Sequence, residues 1–393
     1  MRIIYVLQSF QHPKVRGPLR HYYFIRELSR RHRITLLVHT REDIPPDALE
    51  EMASYTEQLF LVDSRTMAVP ALLGAIPRLK RLWQHYCGTI RDMRARLDAL
   101  SRSGDYDLVF FHGTRFFSVI KRFSALPIVA DVCDADSMRL KAEVSLGRCY
   151  QRPLRALRRM HYRRYEKGIV AKTRHLAFIS ARDRDYILGA GSRAHVIPLG
   201  VDLQYWTRTA WRPGANCLIF TGVMDYPPNE DAALYLIGTI LPLVCRQIPD
   251  VTLVIAGRNP TERLLTLAAS RPEVTVTGFV EDMRQALSDA VVFVAPLRMG
   301  AGMQTKLQEA LAMELPIVTT SLAAAGLKTE SGAIAPLYVA DDPVLFASRI
   351  VDLLENASER ARLAREGRLF VEKHYIWREC VALLEQLFAE ALR

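Results

Sequence analysis

The 393-residue chain has few cysteines, and the six present (Cys87, Cys133, Cys149, Cys217, Cys245 and Cys380) show no CxxC spacing and no accompanying histidine cluster. That argues against a disulfide framework and a zinc site, and leaves buried, reduced thiols as the expectation. Also missing is any uninterrupted apolar run of the roughly 18 residues a bilayer-spanning helix needs. The opening MRIIYVLQSF has a single basic residue and an apolar run too short for a signal peptide. It is expected to be a first buried strand, in a protein that is cytoplasmic and peripheral on the inner face of the plasma membrane. No nucleic-acid-binding motif is present, so no nucleic-acid partner is expected.

Charge is plentiful and unevenly placed. The net charge is +11, and residues 1–210 carry +16 of it against −5 for residues 211–393. A basic first half suits a phosphorylated acceptor or an anionic membrane surface. Two segments concentrate the cations among aromatic and aliphatic residues, Arg78 to Arg96 and Arg139 to Arg174. They read either as membrane-facing amphipathic stretches or as solvated helix faces.

Strand-like and helical runs alternate throughout. Arg2 to Leu7, a loop through Gly17 and Pro18, a helix from about Leu19 and a strand at Ile34 to His39 form a βαβ unit, which implies a parallel sheet. Further strands are expected at Leu59 to Val62, Leu108 to Phe111, Ile128 to Asp131, His175 to Ile179 and His195 to Pro198. After the loop-like WTRTAWRPGAN the pattern restarts with Leu218 to Gly222, Val251 to Gly257, Val274 to Gly278 and a strand near Pro336 to Ala340. Helices are expected over Asp231 to Arg246 and Thr261 to Ser270, and the last fifty residues read as helical. The outcome is an α/β chain of two doubly wound domains, with ligands expected in the cleft.

The most informative stretch is Val291 to Thr320, VVFVAPLRMGAGMQTKLQEALAMELPIVTT. An apolar strand breaks into a glycine loop, continues as an amphipathic helix and ends in a second strand. Glycines at a strand's carboxyl end, ahead of a helix, let backbone N–H groups approach a phosphate. Lys306 and Glu309 then share a helix face, placing a cation and a ribose-binding carboxylate beyond that cradle. The same residues are also compatible with an ordinary turn and a solvated i,i+3 pair.

Taken together, IPLGVDLQYW, FTGVMDYPPNEDA, VTVTGFVEDMRQAL, APLRMGAGMQTKLQEALAMELPIVTT, HYIWRECVALLEQL and PIVADVCDADSMRL resemble the nucleotide-sugar-dependent glycosyltransferases of family 4, which have the GT-B fold. The branch resembled includes exopolysaccharide sugar transferases associated with exosortase systems. This resemblance implies two Rossmann-like domains facing a cleft: an acceptor-binding domain over 1–205 and a nucleotide-sugar-binding domain over 206–375. C-terminal helices are implied to cross back, with residues 376–393 packing toward the first domain. It implies a retaining transferase that moves a sugar from a UDP- or GDP-linked donor to a lipid-linked or polysaccharide acceptor, with no cofactor and no metal. The alternative is a non-catalytic protein of the same fold that binds nucleotide sugar or docks on a membrane.

Residue by residue, the resemblance places the ribose-binding carboxylate on Glu309 and the donor-facing histidine on His112, with Lys306 and Arg258 as further catalytic candidates. Donor contacts are implied at Gly17, Gly222, Asp225, Asn229, Arg258, Arg298, Gly300, Ala301, Gly302, Met303, Gln304, Thr305, Lys306 and Glu309. The chain departs from the family pattern in two places. Ala301 stands where many members have a sugar-binding carboxylate, and the loop Val223 to Asn229 lacks the cations that often neutralise the diphosphate. Arg258, Arg298 and Lys306 are the available replacements. Asp134-Ala135-Asp136 imitates a metal-binding DxD motif but is expected to contact acceptor or cap a helix. Glu166 is expected to be ion-paired among its neighbouring cations, and Trp377 to lie in the core.

Overall fold

The computed structural model describes residues 1–15, 19–67, 69, 83–138, 140–141, 152–208, 216–300, 303–329 and 331–393. The chain divides into two compact units, Met1–Pro198 with Trp377–Arg393, and Leu199–Ile376.

The first unit is built on a seven-stranded parallel sheet in the order β3-β2-β1-β4-β5-β6-β7. Its strands are β1 (Arg2–Leu7), β2 (Arg33–Thr40), β3 (Gln58–Asp63), β4 (Leu108–His112), β5 (Ile128–Cys133), β6 (His175–Phe178) and β7 (His195–Val196). The central strands are apolar along nearly their whole length, because helices cover both faces of a parallel sheet and leave no solvent side for polar alternation. Ile3, Ile4, Val6, Val109, Phe110 and Phe111 are all fully buried.

Trp377–Ala391, the terminal helix, packs within this unit. Trp377 stacks on Tyr23 at 4.6 Å between ring centres, and Phe388 meets Phe110 edge-on at 5.2 Å. Glu385 accepts from His32 Nε2 at 2.7 Å. Each such buried aromatic contributes about 1.5–3 kcal/mol of transfer free energy, enough to hold a helix far away in sequence.

In the second unit, six parallel strands run in the order β10-β9-β8-β11-β12-β13. They are β8 (Cys217–Thr221), β9 (Thr252–Ala256), β10 (Val274–Gly278), β11 (Val292–Ala295), β12 (Ile317–Thr319) and β13 (Tyr338–Val339). The helix expected from Asp231 begins earlier, at Pro227, and carries a π-turn over Leu236–Ile240 before Leu241–Cys245. Pro242 explains the break, since it has no N–H for the carbonyl one turn back and the local ladder must widen.

In each sheet the strand order reverses once, between β1 and β4 in the first and between β8 and β11 in the second. Crossovers on opposite sides of that point leave the carboxyl ends of the strands open, which is where α/β sheets place ligands.

Candidate nucleotide-sugar site

In the second unit the loops after β8, β9 and β10 pack backbone against backbone. Gly222 N donates to Ala256 O at 3.0 Å, and Gly257 N donates to Gly278 O at 3.0 Å. Gly257 has φ +144°, and a Cβ there would lie 1.7 Å from the Gly222 carbonyl oxygen. The two chains approach this closely because neither has a side chain at the contact.

Above this floor stands Asn229, near the start of the helix Pro227–Tyr235. Its Nδ2 donates to Val223 O at 3.0 Å, and its Oδ1 accepts from Lys306 Nζ at 2.6 Å. The Lys306 ammonium also lies 4.6 Å over the Phe220 ring. A Cβ at Gly222 would come within 2.6 Å of Asn229 Nδ2 and 3.1 Å of Lys306 Nζ. A side chain at position 222 would therefore have to displace the asparagine or the lysine.

Lys306 and Glu309 rise from the helix Thr305–Ala312, which follows β11. Burial pushes the Lys306 ammonium down to about 7, with Glu309 opposing the shift. Burial likewise pushes the Glu309 carboxyl up to about 7, against the pull of Lys306. Among the described residues the Glu309 carboxylate accepts no hydrogen bond. The helix has no side-chain cap at Gln304 and no acidic residue in its first turn, so among the described residues no side chain caps its amino end, where the helix dipole is positive. Gly300, at φ +132°, forms the approach to it. Met303 and Gln304 are half-buried and Thr305 is exposed.

Four of the residues singled out in the sequence therefore come together: Gly222, Asn229, Lys306 and Glu309. Others have different surroundings. Arg298 forms a two-pronged pair with Asp231 at 2.7 and 3.0 Å and lies 4.0 Å over Tyr235. Asp225 accepts from Asn259 Nδ2 at 3.1 Å. Arg258 is half-buried, and its carbonyl accepts from Met224 N at 2.9 Å. Gly17, Ala301 and Gly302 lie outside the described residues.

Two contributors were not anticipated. Gly257 could have been found, since all three of β8, β9 and β10 run into glycine at their carboxyl ends. Gln308, buried, donates to Leu199 O at 2.8 Å and so ties the helix to IPLGVD. No local signal marks that contact.

In the first unit His112 ends β4, with its ring 4.1 Å from that of His21. Its Nδ1 lies 3.0 Å from Asp131 O. A carbonyl can only accept, so Nδ1 carries the proton and Nε2 is the acceptor in the neutral ring. Burial holds His112 below the usual histidine range.

Asp131 is the hub of this cluster. Its carboxylate is bound by Arg20 Nε at 2.7 Å, and Arg20 Nη1 also donates to Pro198 O at 2.9 Å. Tyr5 and His21 join through a 2.6 Å contact between the hydroxyl and Nδ1. The visible signal was a charged residue inside the apolar strand IVADVC, which needs a buried cation or hydrogen-bond donors. Ligand atoms of His21, His112 and Asp131 fall within 4.8 Å of one another, as a metal would need. Arg20 already occupies the carboxylate, however, so a dication would have to displace a guanidinium.

Glu166 differs from expectation. It is buried, and its carboxylate accepts from Ser137 N at 2.9 Å and Ser137 Oγ at 2.5 Å. The helix turns this residue inward onto Ser137, and burial raises its carboxyl even though Arg163 pulls it down. Together with Asp183, which accepts from Ala135 N at 3.0 Å, it anchors the turn carrying Asp134 and Asp136. Trp377 is buried as expected.

Residues 20–205 match the family described as Glycosyltransferase Family 4, and residues 215–356 match the one described as Glycosyl transferases group 1. These two segments take in most of the chain, which belongs to the family 4, group 1 glycosyltransferases. An uncharacterized 44.6 kDa protein in the cps region of Klebsiella pneumoniae is 26% identical over 41% of this chain and 43% of that protein. The phosphatidyl-myo-inositol mannosyltransferase of Mycobacterium tuberculosis is 30% identical over 48% of this chain and 51% of that protein. The alignments thus span about half the length of these curated relatives. Among solved structures, Anabaena Alr3699/HepE in complex with UDP aligns with a TM-score of 0.68 and 13% identity over 99% of this chain and 100% of that one. The fold, two doubly wound parallel sheets of seven and six strands, is GT-B.

Proposed function

We propose that the protein is a retaining glycosyltransferase that moves a sugar from a UDP- or GDP-linked donor to a lipid-linked or polysaccharide acceptor in cell-envelope glycan synthesis. The observation that carries this reading is the Gly222–Asn229–Lys306–Glu309 constellation at the switch point of the second sheet. A diphosphate over the amino end of the helix Thr305–Ala312 meets the positive end of its dipole and the Lys306 ammonium. The Glu309 carboxylate, which takes no hydrogen bond from the described residues, accepts from the ribose hydroxyls.

Glycosyl transfer requires charge developing on the β-phosphate to be neutralised as the C1–O bond breaks. Preorganised donors at that oxygen contribute about 3 kcal/mol each. Lys306 and the helix supply them here, with Arg258 half-buried on the neighbouring loop. His112, neutral with Nε2 as acceptor, is suited to take a hydrogen bond from a sugar hydroxyl. The phosphatidyl-inositol acceptor named for the mycobacterial relative and the UDP named for the Anabaena structure favour this reading over a non-catalytic one.

Turnover of UDP- and GDP-sugars by wild type and Glu309→Ala tests the reading. A loss of kcat/KM of about a hundredfold is expected, on the scale of one charge-assisted hydrogen bond pair. Undiminished turnover would remove the ribose role. The anomeric configuration of the product, read by NMR, decides retention.

Peripheral membrane attachment is part of the same reading. The helix Arg152–Lys172 holds eight cations and a single carboxylate, the buried Glu166. On its exposed face Leu157 is 61% and Met160 68% accessible. No described helix is long and apolar enough to cross a membrane. Co-sedimentation with anionic vesicles, weakening as salt rises, is expected. Equal partitioning to neutral vesicles would contradict it.

A further inference from the structure

Behind His112 lies a second, fully buried histidine, His21. It is the second residue of the helix Arg20–Leu28, and its N–H, one of the first-turn donors a helix cannot pair internally, is taken by Gln11 Oε1 at 2.9 Å. β1 and β4 pair in a register that sets Tyr5 beside Phe110 and Leu7 beside His112. Phe110 and His112, two apart on β4, share one face of the sheet. The helix lays the His21 ring across both, at 6.0 and 4.1 Å between ring centres. Tyr5 and Phe24 close this cage edge-on, each at 5.7 Å.

The two nitrogens of His21 meet different partners. Nδ1 lies 2.6 Å from the Tyr5 hydroxyl. Nε2 makes no hydrogen bond among the described residues and faces Asp131 Oδ2 at 3.4 Å. Burial holds His21 well below the usual histidine range, so the ring is neutral and carries one proton. A lone pair on Nε2 would oppose the carboxylate, so the proton is on Nε2 and Nδ1 accepts from Tyr5. Burial pushes the Tyr5 hydroxyl well above its usual range, which keeps it a donor. A buried N–H left this far from its acceptor is unfavourable for folding alone, and phenylalanine would fill the cage without that cost. Asp131 connects the two rings. Its carboxylate faces His21, and its carbonyl accepts from Nδ1 of His112, its register partner on β4.

We propose that His21 is a positioning residue for His112. Its ring, anchored by the Tyr5 hydroxyl at one nitrogen and drawn to the Asp131 carboxylate at the other, is the wall that holds the His112 imidazole with Nε2 free to accept from the donor sugar. This rests on the reading of His112 as a residue that faces the donor, and His21 acts through it without touching substrate.

Turnover of UDP-glucose and GDP-mannose by His21→Phe, His112→Ala and the double variant tests this, with ¹⁵N NMR of histidine-labelled protein as the second readout. His21→Phe keeps a ring in the cage and removes both anchors. Its kcat is expected to fall about tenfold, the scale of one hydrogen bond. KM for the donor and affinity for UDP should change little, because the nucleotide contacts lie in the second unit. On top of His112→Ala the same substitution should cost nothing further. Tyr5→Phe, which takes away a single hydroxyl, should lower kcat about threefold with the same dependence on His112, and it carries the cycle should His21→Phe not fold. The His112 signals, identified by their loss in His112→Ala, are expected to show the proton on Nδ1 in wild type and averaged over both nitrogens in His21→Phe. The proposal is overturned if the substitution costs the same factor with and without His112, or if both His21→Phe and Tyr5→Phe leave kcat and the His112 tautomer as in wild type. If neither donor is turned over, or His112→Ala is as fast as wild type, the donor-facing reading of His112 fails instead, and the tautomer alone decides whether His21 holds that ring.

Discussion

The two units each bury charge beside a parallel sheet and handle it in opposite ways. In the first, Arg20 and Asp131 are both buried and closed on each other at 2.7 Å, with His21 and Tyr5 completing the cluster. In the second, Lys306 is held by a neutral asparagine, and Glu309 takes no hydrogen bond from the described residues. A satisfied pair shapes and rigidifies. Groups with shifted titration and open valences are prepared to gain partners, and such groups concentrate at ligand sites.

The sharpest way to break this contrast is at its backbone. Gly257→Ala places a Cβ on the Gly222 carbonyl at a φ few L-residues adopt. It should destabilise the second unit by about 4–5 kcal/mol, the upper end for single substitutions, as read by denaturant unfolding. A shift below 1 kcal/mol would show that the strand-end loops can separate.

Arg20→Met comes next, leaving Asp131 buried without its cation. A loss of about 3–5 kcal/mol is expected, and Arg20→Met with Asp131→Leu should recover most of it, because the pair's desolvation disappears along with its attraction. If the single variant is as stable as wild type, the pair is not the anchor of its unit.

A third test asks whether Lys306 and Glu309 really are poised. Lys306 titrates near 7 in the folded chain against 10.5 ordinarily, so its contribution to stability grows as pH rises from about 7 toward 10.5. Glu309 titrates near 7 against 4.5, so its contribution shrinks as pH rises from 4.5 to about 7. Together they give a minimum of stability near pH 7, which Lys306→Met with Glu309→Gln should flatten in thermal melts. UDP affinity should run the other way. Phosphate favours the ammonium and ribose the carboxylate, so binding is tightest near pH 7 and falls on both sides. A pH-independent affinity would dissociate these groups from the nucleotide.

The smallest effect is expected at Arg298. Arg298 is about half exposed in its pair with Asp231, and Arg298→Gln should change stability by less than about 1 kcal/mol. If UDP binding is unaffected as well, Arg298 is a surface brace; a large loss of affinity would return it to the diphosphate.

Much of this was legible because it is local. Alternating βα periodicity and the i,i+3 spacing of Lys306 and Glu309 are written in neighbouring residues, and the structure reproduces them to within a few positions, the helix expected from Asp231 starting at Pro227. What was not legible depended on crossovers. Glu166 looked ion-paired in RRYEKG because sequence shows neighbours but not which way a helix turns its faces. Arg298 looked available because Asp231 lies 67 residues earlier.

By itself, then, the sequence determined that the chain folds into two parallel α/β units, that the first is basic, and that a glycine loop precedes a lysine and a glutamate on one helix face. Hydrophobic period, chain stiffness at glycine and proline, and helix geometry are sufficient for that. Only the tertiary structure decided that Lys306 meets Asn229 across 77 residues, that Asp131 is taken by Arg20 across 111, and that Gly257 lies against Gly222. Parallel strands pair only through long crossovers, so the contacts that give each charge its partner, or leave it without one, exist only once the sheet is closed.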